Sequence, residues 1–388
     1  MKCIFTIGSP AIGGGTNVIF EQASKMAKLG DDVYIVTNNK VKKEEYAWHS
    51  GASLLKWVTY DDIKDEEFDL AILTWWRTVY DAWQIKSKKY CYFVQSIESR
   101  FYSEEEVGLR FLAEMTYMLD MPVITEATWI KEYLEKYGVK AYLVRNGIRK
   151  DIFTNKGESY KKCDGLRVLV EGPVDVAFKN VPKTIKLCNE SKADEVWLLT
   201  SSDIKEYPGV DRVFSKVPPK DCAKIYRSCD VIVKLSYVEG MFGPPLEMFH
   251  CGGTAIVYEV TGHDEYIKDK VNGLVAKRDD DEKIVEYINK LHDDKKYLDK
   301  LKKNALKTAN DWMSWEESSQ LFYDTTRKVA KLDTIDQVGL ENRSKFFFDV
   351  YVKYETKDQN ISFRRIIGNR LRANHPKIYS TYRKIIGK

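Results

Sequence analysis

Two glutamates eight positions apart bracket a loop rich in glycine and proline: Glu239-Gly240-Met241-Phe242-Gly243-Pro244-Pro245-Leu246-Glu247. Carboxylates accept hydrogen bonds from hydroxyl groups, so such a pair suits a polyhydroxylated ligand. Pro244 and Pro245 fit the first turn of a helix that Glu247 then enters. A helix start leaves backbone N–H groups open and favours an anion. The N–H groups from Phe242 to Leu246 therefore offer a place for a diphosphate. A second run, Gly13-Gly14-Gly15, also lies between an apolar stretch and a helical pattern. It allows phosphate or sugar to approach the backbone, and it serves equally well as a tight turn. It lacks the G-x-G-x-x-G spacing of a nicotinamide site, and Asn38-Asn39 stand where a ribose-binding acid is expected.

The elements around these loops follow from hydrophobic pattern. Residues 2–8, 32–37, 54–58, 70–74, 90–95, 122–125 and 141–144 read as strands apolar on both faces, as parallel strands covered by helices are. Residues 16–29 carry Ile19, Ala23, Met26 and Ala27 at helical spacing, with Gly30 as a stop. After a polar connector at 155–165, the alternation restarts with strands at 166–171, 195–200, 212–214, 230–235, 254–258 and 273–275. Helices are expected between them, at 181–189 and 221–227 for example. Strand–helix–strand repetition predicts α/β architecture with doubly wound parallel sheets. Two such domains face a ligand across a cleft at their strand C-termini. The rhythm stops near residue 335.

The chain has 388 residues, 44% hydrophobic and 31% charged, values of a folded globular protein. No apolar run reaches a membrane span, and MKCIFTIGSP reads as a first strand rather than a signal peptide. Seven scattered cysteines without a C-x-x-C argue against a disulfide framework or structural zinc and fit a reducing cytosol. The net charge is +4, yet residues 361–388 hold eight Lys/Arg and no acid, which leaves −4 for residues 1–360. In that tail Phe363, Ile366, Ile367 and Leu371 share a helical face ringed by arginines. A basic amphipathic helix with aromatics suits an anionic membrane surface, ahead of docking on an acidic protein face; nucleic acid is not expected.

The segment Glu239–Glu247 resembles the E-x7-E loop of family-four retaining glycosyltransferases, which have the GT-B fold. Other pieces fall in that family's order: Asn146-Gly147-Ile148 to Phe153, Glu171-Gly172 with Lys179-Asn180, Phe214-Ser215-Lys216-Val217, Asn272-Gly273-Leu274-Val275 with Asp279, and Trp312 to Trp315 with Glu316. In the first half, Thr74-Trp75-Trp76-Arg77-Thr78 and Tyr92-Phe93-Val94-Gln95-Ser96-Ile97-Glu98 with Phe101-Tyr102 are similar to segments of bacterial surface-polysaccharide rhamnosyltransferases. Pro173 departs from the family, whose Arg follows the glycine; Lys179, or another base such as Arg145, then carries the diphosphate charge. The acid triplet Asp279-Asp280-Asp281 reads as a solvated turn.

The resemblance implies a GT-B fold of two Rossmann-like domains: residues 1–150 on the acceptor side and 151–312 on the donor side. A closing helix at 313–335 and the basic tail at 336–388 follow. It implies transfer of a sugar from a nucleoside diphosphate, with anomeric retention, no metal and no cofactor. Glu239 and Lys179 take the catalytic roles. Gly172, Ser215, Lys216, Val217, Gly240, Met241, Phe242, Gly243, Pro244, Leu246 and Glu247 bind the donor. Gly14, Gly15, Trp75, Trp76, Gln95 and Glu98 form the acceptor side, the two tryptophans as a cleft wall on which a sugar stacks. Tyr92 and Phe93 read as core. The donor expectation leans to dTDP-rhamnose, with UDP- or GDP-hexose open. The acceptor expected is a lipid-linked glycan at the cytoplasmic face of the cell membrane. An epimerase of the same fold, or a non-catalytic glycan- or nucleotide-binding subunit, is the alternative.

Overall fold

The computed structural model describes residues 1–355 apart from Lys162, together with Gly368, Leu371, Ile378 and Tyr379. The basic tail at 361–388 thus lies outside the described residues, those four positions excepted. In the first domain the apolar runs form seven parallel strands: β1 (Lys2–Thr6), β2 (Asp32–Thr37), β3 (Lys56–Thr59), β4 (Leu70–Leu73), β5 (Tyr90–Val94), β6 (Val123–Thr125) and β7 (Ala141–Leu143). Their order across the sheet is β3-β2-β1-β4-β5-β6-β7. The second domain has six parallel strands: β8 (Arg167–Glu171), β9 (Glu195–Thr200), β10 (Arg212–Ser215), β11 (Val231–Lys234), β12 (Thr254–Tyr258) and β13 (Leu274–Ala276). They are ordered β10-β9-β8-β11-β12-β13. Both sheets are Rossmann-like and together make the GT-B architecture. One small ribbon, Glu67–Phe68 beside Lys86–Ser87, is absent from the sequence reading, because two residues are too few to show a period.

Each sheet reverses its winding at one place, between β1 and β4 and between β8 and β11. Chain connections diverge there and open a crevice at the strand C-termini. The helix Gly14–Lys28 follows β1, and the helix Val181–Asn189 follows β8. The two crevices face each other.

The chain crosses between domains twice, and the crossings lie side by side. Trp312 Nε1 donates to the Asn146 carbonyl at 2.9 Å. The Ile148 N–H donates to the Met313 carbonyl at 3.1 Å, and the Trp315 N–H to the Ile148 carbonyl at 3.0 Å. Ser314 and Glu317 then form a reciprocal capping box that starts the helix Trp315–Val329. This helix returns to the first domain. Its Phe322 is fully buried, 6.3 Å from the Phe5 ring and 5.1 Å from the Phe93 ring. Arg327 holds both oxygens of Asp31, at 2.5 and 2.6 Å.

The next helix, Gln337–Glu355, corrects an expectation. Residues 336–388 read as one basic amphipathic tail, but the sequence of this helix holds three Lys/Arg and three Asp/Glu and is neutral. Its Phe348 and Tyr351 are buried with Trp76, Tyr80 and Leu112 of the first domain. The aromatic face finds apolar partners there, so the segment docks. Among the described residues, no helix is long and apolar enough to cross a membrane.

Replacing Phe322 by Ala removes the ring that seats the returning helix. Large-to-small changes at such sites cost about 3 kcal/mol or more. Chemical denaturation followed by tryptophan fluorescence should show the first domain unfolding at clearly lower denaturant. An unchanged midpoint would mean that the helix is seated by its polar contacts.

Candidate functional site

A cleft of about 1460 Å³ lies between the domains. Its floor in the second domain is a chain of alternating charges. β8 and β11 are neighbours, so Glu171 and Lys234 meet where these strands end. Lys234 is 2% exposed, and its Nζ donates to Glu171 Oε2 at 2.6 Å and to the Glu171 carbonyl at 3.1 Å. The same Nζ lies 3.6 Å from Glu239 Oε1. Glu239 Oε2 accepts from Lys179 Nζ at 2.9 Å. Lys179 ends a single turn, Ala177–Lys179, and Asn180 follows in a left-handed conformation that ties its side chain to the Leu235 carbonyl. Burial opposes the Glu239 charge, but Lys179 and Lys234 outweigh it and hold its carboxyl below the ordinary pKa. Burial likewise opposes the Lys234 charge, and Glu171 and Glu239 more than offset it.

The loop after Glu239 runs into the helix Gly243–His250. Pro244 and Pro245 occupy its first turn and have no N–H, so the expected row of donors from Phe242 to Leu246 is shorter. Glu247 lies one turn in and lines the cleft. Burial, with Glu171 adding to it, pushes its carboxyl up to about 8.

The first domain supplies the facing wall. Trp75 is 39% exposed and lies over Gly8, where any side chain would overlap the indole. Glu98 Oε2 accepts from the Trp76 N–H at 2.7 Å and from the Tyr92 hydroxyl at 3.1 Å. Burial pushes Glu98 up to about 8 as well. Gln95 Nε2 donates to the Gly15 carbonyl at 3.3 Å. Phe101 of this wall stacks on Phe178 of the other domain, with ring centroids 4.9 Å apart, next to Lys179.

The structure brings most of the residues singled out in the sequence to this cleft. Lys179, Lys216, Val217, Glu239, Gly240, Met241, Gly243, Pro244, Leu246 and Glu247 line it from one side; Gly14, Gly15, Trp75, Gln95 and Glu98 line it from the other. Several are placed differently. Trp76 is 1% exposed and donates through Nε1 to the Tyr102 hydroxyl, so it is core and not cleft wall. The Ser215 hydroxyl is spent on the Ser202 carbonyl at 2.7 Å. Lys216 turns its amine to Asp203. Phe242 is buried, with its carbonyl held by Tyr266. Gly172 packs behind Lys179 and Lys234. Arg145 pairs with Glu265 at 2.7 Å and is not among the residues that line the cleft. Asp279 and Asp281 are not a plain solvated turn, since both hold Lys183 at 2.8 Å.

Sequence reading misses Lys234, Glu126 and the role of Glu171. The signal for Lys234 is a lysine that ends the apolar strand Val231–Lys234 just before the Glu239 loop. His49 and Arg149 also line the cleft, beside Glu21 at 3.4 and 3.1 Å. Among the described residues, no group of three or more His, Cys, Asp or Glu side chains is arranged to hold a metal ion.

Residues 195–308 match the family model described as glycosyl transferases group 1. Among solved structures, the fold is similar to sucrose-phosphate synthase from Thermosynechococcus elongatus, with 17% identity and a TM-score of 0.67 over 85% of this chain and 99% of that one. It is similar to HepE of Anabaena in complex with UDP-glucose, with 12% identity and a TM-score of 0.69 over 84% and 100%. It is similar also to WaaG, a glycosyltransferase involved in lipopolysaccharide biosynthesis, with 14% identity and a TM-score of 0.64 over 83% and 99%. A comparison with curated proteins finds no significant sequence relative.

Glu98 and Glu247 give the site a pH signature. A carboxyl whose folded pKa lies above its unfolded value holds its proton longer in the folded state. Stability then falls as pH rises from the ordinary carboxylate range to about 8. Glu98→Gln mimics the protonated group. Melting temperatures measured between about pH 5 and pH 9 should fall with pH in the wild type and fall less in this variant. Parallel curves would mean that Glu98 is ionised in the folded protein.

Proposed function

We propose that this chain is a retaining glycosyltransferase that moves a sugar from a nucleoside diphosphate to a growing cell-surface glycan. The observation that carries the reading is the Lys179–Glu239–Lys234 network beside the start of the helix Gly243–His250. It sets a fixed cation and a fixed carboxylate at the edge of one cleft, next to a helix start that favours phosphate. The group 1 match over residues 195–308 supports it, because that span contains the loop Glu239–Glu247.

Each residue then has a task. Lys179 and the N–H of Gly243 meet the diphosphate. Glu239 Oε1 has no hydrogen-bond partner among the described residues and accepts from a hydroxyl of the transferred sugar. Glu247 meets the ribose. The backbone of Lys216 and Val217 lines the base pocket. Trp75 offers an indole face to the acceptor glycan. The bond from the anomeric carbon to the phosphate oxygen breaks, and the acceptor oxygen bonds on the same face. The acceptor proton passes to the departing diphosphate. The protein contributes position and charge stabilisation, and no metal takes part.

The aromatic segments favour dTDP-rhamnose, with UDP- and GDP-hexoses as the other donors to test. HepE is seen with UDP-glucose, and WaaG works in lipopolysaccharide biosynthesis, which favours a lipid-linked acceptor. The basic residues 361–388 would hold the protein at the inner face of the membrane.

Incubation with UDP-, GDP- and dTDP-sugars should release nucleoside diphosphate only when a glycan acceptor is added. Lys179→Ala and Glu239→Gln should each slow release roughly a hundredfold with the fold intact. Isomerised donor, or binding with no release in the presence of acceptor, would overturn the reading.

A further inference from the structure

Glu126 lies between β6 and the helix Thr128–Glu135 in the first domain, and it is 5% exposed. Its two oxygens face in different directions. Oε2 accepts from Asn146 Nδ2, in the first crossing between domains, at 2.8 Å. Oε1 accepts from the N–H of Met241, in the second domain's loop, at 3.1 Å. The neighbouring Gly240 presses on the first domain so closely that a side-chain carbon there would overlap the Gln95 carbonyl oxygen. Trp129, in the first turn of the helix Thr128–Glu135, donates through Nε1 to the Gly240 carbonyl at 3.0 Å. From the other side, the Thr261 hydroxyl bonds the Glu239 carbonyl at 3.1 Å.

We propose that Glu126 is the positioning residue for the donor loop, so that the first domain sets where Glu239 stands in the second. The role assigned to that loop rests on the glycosyltransferase reading; the contact between domains does not. Glu126 touches no reacting atom. It takes the Met241 N–H, a donor the loop cannot satisfy itself, and a buried donor left unpaired is costly. With Glu126 in place, the Glu239 carboxyl is delivered to Lys179 and Lys234. With the domains apart, Met241 loses its acceptor and the loop is released. Donor affinity and domain closure are therefore one equilibrium.

The charged group that acts on Glu126 through space is Glu239, itself held by Lys179 and Lys234. Burial, opposed by its two hydrogen bonds and aided by Glu239, pushes Glu126 up to about 7. Ionisation sets a second buried carboxylate beside Glu239 and opposes the closed arrangement. Gln at this position keeps an acceptor for Met241 without the charge. Its amide can meet the unpartnered Asn146 Oδ1 once the Asn146 amide makes a half turn.

The test uses the full chain, with UDP, GDP and dTDP as probes, and reads hydrogen exchange at Met241 together with binding by calorimetry. Glu126→Ala should speed exchange in the loop and weaken diphosphate binding about tenfold, the size of one lost hydrogen bond. Glu126→Gln should restore protection. Binding should weaken as pH rises from the ordinary carboxylate range to about 7 in the wild type, level off above that, and not do so in the Gln variant. A purely structural residue would move the melting temperature without this loop-specific and pH-specific pattern. If the Ala variant does not fold, Gly240→Ala parts the loop from Gln95 and should speed exchange likewise. Wild-type exchange and affinity in the Ala or Gly240 variant would overturn the proposal. If the wild type binds no diphosphate, the functional reading falls, and the exchange data alone support or overturn the coupling.

Discussion

Everything at the cleft rests on a buried lysine. Lys234 is 2% exposed and stands between Glu171 and Glu239. Removing a charge from water costs several kcal/mol, and only close partners of opposite sign offset it. Those partners come from separate places: one ends the adjacent strand, the other begins the loop that follows. The pairing therefore fixes the register of β8 against β11, the path of the loop and the direction of the Glu239 carboxyl. Lys179 closes the series at the solvent side. That cation is paired with one carboxylate and is the lysine of the series with the greater exposure to the cleft.

The second constraint is the reach of one domain into the other. Phe101 on Phe178, Arg145 on Glu265 and Glu126 on the Met241 N–H are different kinds of contact. One is apolar and sensitive to shape, one is ionic and part-exposed, one is a buried hydrogen bond. They sit around a single cleft, so the walls of the ligand site and the interface between domains share residues. A ligand that fills the cleft changes the interface, and the interface changes the ligand site.

Much of this was legible in the residues. Strands buried on both faces leave unbroken apolar runs, so both sheets could be traced to within a residue or two at each end. The loop Glu239–Glu247 declared itself by composition. The failures share a cause. Trp75 and Trp76 are adjacent and chemically alike, and only the turn at the end of β4 decides which one faces the cleft. Ser215 and Arg145 carry suitable groups, but partners on other segments, Ser202 across the neighbouring strand end and Glu265 in the second domain, claim them first. The helix Gln337–Glu355 belongs with the first domain because of Tyr80 and Leu112, more than 200 positions earlier. Glu126 has no motif around it; its meaning lies in what Gly240 leaves uncovered.

The docking of the helix Gln337–Glu355 also settles a matter of mechanics. The helix packs on the first domain through Phe348 and Tyr351, so it moves with the half that carries Trp75 and Glu98. Anything that held the outer side of this helix, where Val338 and Phe346 are exposed, would clamp that half and leave the other as the free arm. The half that carries Lys179 and Glu239 would then swing, while the half that carries Trp75 stays put. Opening and closing the cleft would then need only one moving part.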